Sequence, residues 1–156
     1  MRLTAALTAI FLSLSTALAG DIALRDGWVV IETGQTHADL LKNLRAAVKA
    51  HKMGVVTQAG PTATARKRGI TIPENRVVGV FNNDFAVRVL AASTAAMIEA
   101  PIRFYVTEET DGTATLSWKT PGFVFAPYFD EGGAELRALA AELDEKFAAI
   151  GQTATQ

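Results

Sequence analysis

Few side chains in this sequence can do chemistry, and their spacing limits what that chemistry is. The only histidines are His37 and His51. One helix is predicted to carry both, and fourteen residues at ~1.5 Å rise place them ~21 Å apart. A single metal ion cannot bridge that distance, so no metal site is expected. His51 continues the apolar stripe of the helix and reads as a core-edge side chain. His37 falls in the first turn, where positive charge is disfavoured, and reads as solvent-exposed. There is no cysteine, which removes disulfides, thiolate metal sites, iron–sulfur clusters and thiol nucleophiles. Beyond the first nineteen residues the serines are Ser93 and Ser117, and neither lies in a G-x-S-x-G turn. No H-E-x-x-H, P-loop or G-x-G-x-x-G occurs. Pattern alone therefore assigns no catalytic residue and no cofactor. Glu108 and Glu109, with Asp111 close by, lack the alternating spacing of a calcium loop and read as a solvated turn.

Four residues remain as candidates for holding a ligand: Asn83, Asp84, Glu99 and Tyr128. Asn83 and Asp84 open a helix, where free backbone amides could hold an anion or the side chains could simply cap. Tyr128 stands in an aromatic cluster with Phe123, Phe125 and Phe129. That cluster either packs over the neighbouring hairpin or walls an apolar pocket with Tyr128 as its polar handle. Glu99 closes the Ala-rich stretch that precedes Pro101. Asp84 or Glu99 with Tyr128 could serve a small hydrolase or isomerase.

The elements that must position these residues follow from periodicity. Trp28 to Ile31 is a β-branched, aromatic-led strand. Thr36 with Asp39 caps a helix whose Leu40, Leu41, Leu44, Ala47 and Val48 form one apolar stripe, with Gly54 as its stop. Val55 to Gln58 and Arg76 to Phe81 read as strands, with a short helix from Thr62 to Arg68 between them. An Ala-rich helix is predicted from the cap Asn82-Asn83-Asp84 to about Glu99. Ile102, Phe104 and Val106 alternate with Arg103, Tyr105 and Thr107, the period of a half-exposed strand. Asp111-Gly112 is read as a two-residue turn leading into a second strand, Thr113 to Lys119, as a hairpin. Phe123 to Phe129 is read as a loop or edge segment. A last amphipathic helix carries Leu136, Leu139, Leu143, Phe147 and Ile150 inward. The order favours an α+β fold, with helices on one face of a mixed or antiparallel sheet. The Ala-rich segment 85–98 is apolar nearly all round, which predicts burial on two sides, the second by this domain or by another copy as a homodimer.

The first nineteen residues stand apart. Arg2 is their only charge, an apolar run spans Leu3 to Leu14, and Ala17-Leu18-Ala19 offers small residues for cleavage. Residues 1–19 are thus predicted to be a signal peptide, 20–151 a single domain and 152–156 a disordered tail. The run is too short and too interrupted by Ser13, Ser15 and Thr16 to span a bilayer. Loss of Arg2 takes Lys and Arg from 15 to 14 against 16 Asp and Glu. That balance argues against a nucleic-acid partner, and the cluster Arg66-Lys67-Arg68 reads as a solvated face.

From Ala65 onward the chain resembles the DUF302 family, a domain of unknown function. The resemblance rests on Ala65-Arg66-Lys67-Arg68-Gly69, Pro73, Val78-Gly79-Val80-Phe81-Asn82-Asn83, Ile98-Glu99-Ala100-Pro101, the hairpin Ile102 to Trp118, and Thr120-Pro121. With the opening from Trp28 it covers roughly residues 27–150. It implies a TATA-binding-protein-like single domain, a curved, mostly antiparallel sheet backed by helices, often dimeric, with no established reaction. This chain has Gly60-Pro61 where many relatives have an Asp-His pair, and Phe81-Asn82-Asn83-Asp84 where relatives often have Phe-Gly-Asn-Pro.

Together these features lead to the expectation of a periplasmic or secreted protein that binds a small, apolar ligand or serves as an accessory module. The alternatives are a carboxylate-dependent enzyme and a structural dimer that recruits other proteins. Cleavage after Ala19 predicts that N-terminal sequencing of the exported protein begins at Gly20; recovery of Met1 from that fraction would refute it.

Overall fold

Alternation of apolar and polar residues builds the sheet. A computed structural model describes residues 22–156, so the predicted signal peptide lies outside the described residues. Five strands, β1 (Trp28–Thr33), β2 (Gly54–Ala59), β3 (Asn75–Phe81), β4 (Ile102–Glu108) and β5 (Ala114–Lys119), form one sheet in the order β1-β5-β4-β3-β2. Every neighbouring pair is antiparallel, and the sheet stays open. Its edge strands β1 and β2 are consecutive in sequence, so the helix between them, α1 (His37–Ala50), has to cross the whole sheet.

Thr36 caps α1 as predicted, accepting from the Asp39 amide at 3.2 Å. The stop is different. Lys52 takes the left-handed conformation (φ 58°), and the Met53 amide donates to Val48 O at 3.0 Å. This is the wrap that usually recruits glycine, whereas Gly54 already belongs to β2. His51 is the C-cap residue and meets Thr153 through Nε2 at 2.9 Å.

After α2 (Thr62–Lys67), α3 (Asn83–Ala92) is shorter than the predicted Ala-rich helix. Ser93 is extended and buried, donates to Glu131 at 2.8 Å, and accepts from the Ala96 amide at 3.0 Å. Those two bonds end the helix and start a separate 3-10 turn, Ala96–Glu99. Within the single chain only one side of the segment is covered: Val89 is buried in α3, while Val87 is 67% and Leu90 49% exposed, so this domain does not supply the second cover.

The hairpin turn also differs. Glu109 N bonds Thr113 O, leaving three residues between, with Gly112 at φ 84° supplying the left-handed position of a three-residue loop. The aromatic segment is helical rather than a loop. Thr120 accepts from the Phe123 amide, Pro121 takes the first turn, and α4 (Pro121–Phe125) runs into a 3-10 turn, Ala126–Tyr128. The last helix, α5 (Phe129–Thr155), kinks at Gly133 (φ 60°, ψ −149°), a conformation essentially reserved for glycine. It reaches Thr155 with Ala154 buried, beyond the residue 152 where a disordered tail was expected.

Helices α1, α3, α4 and α5 share one side of the sheet. Phe104 sits fully buried there, stacked on Phe147 of α5 with ring centroids 4.7 Å apart and tilted against Trp118 at 5.2 Å. Leu136, Leu139, Leu143 and Ile150 complete the inner face of α5. Leu143→Ala should therefore cost about 2–5 kcal/mol. Chemical denaturation measures this directly, and an unchanged midpoint would mean that α5 is not docked.

Candidate functional site

The alternation that turns Phe104 inward turns Arg103 and Tyr105 outward. Strand register then fixes their neighbours. Trp28 pairs with Lys119 across β1 and β5, and Phe104 pairs with Trp118 across β4 and β5. Arg103 and Lys119, one step further along their strands, therefore stand opposite each other on the outer face. Gly79 pairs with Arg103 on the other side. The adjoining row is Val30, Ser117, Tyr105 and Val77.

A groove of about 360 Å³ lies over these rows, lined by Trp28, Val77, Arg103, Tyr105 and Lys119. Glu99 and Val124 close it from the helical side. The Trp28 ring is flanked by cations, with the Arg25 guanidinium 5.1 Å and the Lys119 ammonium 5.8 Å from its centroid. Such contacts hold the half-buried indole in place. The turn that presents Trp28 is tied to the end of β5: Thr120 N donates to Gly27 O at 2.8 Å, and Trp28 N to Arg25 O at 3.1 Å.

Of the four predicted ligand-binding residues, the structure joins two. The Tyr128 hydroxyl donates to Glu99 Oε1 at 2.8 Å. That bond, with the carboxylate's charge beside it, raises the Tyr128 pKa above the ordinary tyrosine value. The Tyr128 hydroxyl is thus engaged as a donor to that carboxylate. Its partner Glu99 is the member of the pair that lines the groove.

Asn83 and Asp84 lie elsewhere. The cap of α3 is Asn82, whose Oδ1 accepts from the Asp84 and Phe85 amides at 2.9 and 3.2 Å. Its Nδ2 donates to Lys52 O at 2.9 Å, tying the start of α3 to the end of α1. Two amides that an anion would need are thus already satisfied. Beneath α3 lies a second, almost wholly apolar crevice of about 30 Å³, between Met53, Phe85, Val89, Met97 and Phe125. It has room for little more than a water-sized guest, and its apolar walls give water no partners.

His37 corrects another expectation. It is buried, 8% exposed, and among the described residues its Nε2 has no hydrogen-bond partner. Burial lowers its pKa below the ordinary histidine value. Glu74 and Glu108 pull the other way, and Arg76 adds to the lowering. The hairpin-base carboxylate of Glu108 is itself engaged, accepting from the Glu74 amide at 2.7 Å. Asp111 accepts from the Thr113 hydroxyl and amide, which lowers its pKa. Arg66 pairs with Glu74, and Lys67 and Arg68 face solvent.

Trp28, Arg103, Tyr105 and Lys119 were not singled out from sequence as site residues. The outward period of β4 marked Arg103 and Tyr105 as one face. Only the pairing of β5 with both β4 and β1 assembles that face with Lys119 and Trp28.

A family model described as "Domain of unknown function DUF302" matches residues 29–154. Among solved structures the fold is similar to that of an uncharacterized conserved DUF302 protein from Bacillus stearothermophilus. The TM-score is 0.73 at 18% identity, covering 85% of this chain and 100% of that one. No curated protein matches the sequence.

The buried imidazole sets a pH dependence. Below about pH 6.5 the unfolded chain takes up a proton at His37 before the folded chain does. This histidine's contribution to stability is complete above that pH and is lost as pH falls toward the lower folded pKa. His37→Gln should flatten that part of the stability curve, read as denaturation midpoint against pH. A curve that keeps the wild-type slope would mean the folded imidazole charges freely.

Proposed function

The chain belongs to the DUF302 family, and on that premise we propose that it is an exported accessory module that binds a small organic ligand on the open face of its sheet. The observation that carries the reading is the groove of about 360 Å³, where aromatic rings, an apolar floor and side chains of both charges converge. Small-molecule sites combine these features at about this size. Export is supported by the apolar run Leu3 to Leu14 and by Ala17 and Ala19 spaced for cleavage. Among the described residues no helix is long and apolar enough to cross a membrane.

A second reading, a homodimer through residues 85–98, is favoured by one observation. Val87, Leu90 and Ile98 are 67%, 49% and 78% exposed, more apolar surface than a solvated helical segment needs.

Native mass spectrometry of the protein isolated from its own cells addresses both readings. The ligand reading expects a small-molecule adduct that Trp28→Ala loses while remaining folded. A bare mass for the folded wild-type chain overturns it. A monomeric mass at tens of micromolar removes the second reading.

A further inference from the structure

We propose that the groove selects amphipathic monoanions, organic carboxylates with a flat apolar body, over neutral compounds and dianions of the same shape. The proposal rests on the groove being a ligand site and goes on to name what it takes.

Arg103 and Lys119 are cross-strand neighbours of like charge, an arrangement that destabilises a sheet unless something neutralises it. Both are exposed, and neither is ion-paired among the described residues. Lys119 is drawn over the Trp28 ring at 5.8 Å, which brings a cation to the edge of the apolar surface instead of leaving it free in solvent. A carboxylate seated between the two cations would remove their repulsion and gain charge-assisted hydrogen bonds.

The body of the ligand is specified by what lies beside those cations. Trp28 and Tyr105 border the groove and Val77 contributes to its floor. Aromatic side chains offer faces and edges that suit another flat ring. The lining charges then set the valence. Among the residues that line the groove, Arg103 and Lys119 against the single carboxylate of Glu99 leave one uncompensated positive charge; Arg25 packs on Trp28 but does not line the groove and lies outside this count. Glu99 is held in position by Tyr128 at 2.8 Å. One negative charge on the ligand completes the balance, and a second would face Glu99.

The test is calorimetric titration of the full domain with three compounds of one shape: naphthoate, its neutral analogue naphthalenemethanol, and naphthalenedicarboxylate. Naphthoate should bind about tenfold or more tighter than either of the others, the scale of a charge-assisted hydrogen bond. Its affinity should fall with added salt and by a similar factor in Arg103→Gln or Lys119→Gln. Glu99→Gln should tighten naphthoate and shrink the penalty on the dianion. Naphthalenemethanol binding as tightly as naphthoate, with Trp28→Ala abolishing both, would overturn the monoanion rule and leave the groove a ligand site. Binding by none of the three at millimolar concentration would overturn the rule and count against the groove itself.

Discussion

Phe104 is where the sheet and its helices are joined. Its ring is fully buried in the middle strand of the sheet, stacked on Phe147 and tilted against Trp118. Val106 and Leu116, paired across β4 and β5, extend the same apolar surface. Leu136 to Ile150 of α5 and Leu40 to Val48 of α1 lie over it. Without cysteine there is no covalent staple, so hydrophobic burial on this one face carries the domain. Strand geometry then dictates the other face. Because side chains alternate, the register that buries Phe104 must expose Arg103 and present Tyr105. A slip of one residue would exchange the two sets and destroy core and groove together.

This coupling explains what was legible in the sequence. Element types follow from local signals: the Thr36 cap, the stripe from Leu40 to Val48, and the alternation through β4 each act within a few residues. Errors arise where a distant partner decides. Ser93 breaks the Ala-rich helix because Glu131 and the Ala96 amide engage its hydroxyl, and nothing local announces Glu131. His37 is buried because β3 and β4 run beneath the start of α1, while its position in a first helical turn suggests only exposure. One miss was readable: Thr120-Pro121 is a capping residue followed by proline at the first helical position, a helix start that the aromatic residues after it obscured.

The candidate site divides along the same line. Glu99 and Tyr128 were chosen for their chemistry, and they meet because the 3-10 turn after α3 and the one before α5 converge. Asn83 and Asp84 were chosen for their place at a helix start, yet Asn82 does the capping and also reaches Lys52 O. Arg103, Lys119 and Trp28 belong to three different strands, and only the pairing order β1-β5-β4 makes them neighbours. Capping competition is decided over one residue, whereas sheet order is decided by the whole chain.

The overall charge conceals the local one. The chain is nearly neutral, with formal net charge −1, which argues against a polyanionic partner. Arg25, Arg103 and Lys119 nevertheless gather at one end of the sheet, while Glu74, Glu108 and Glu109 gather near the other, where β3 begins and β4 ends. Separated charge of this kind can orient a small ligand without drawing in a long polyanion. Glu99 is the point where the two layers communicate. Glu99 lines the groove, and the hydrogen bond that its carboxylate accepts comes from Tyr128, immediately before α5. The same helix supplies Phe147 beneath Phe104. The element that closes the core therefore follows directly from the residue that fixes the one negative charge in the groove.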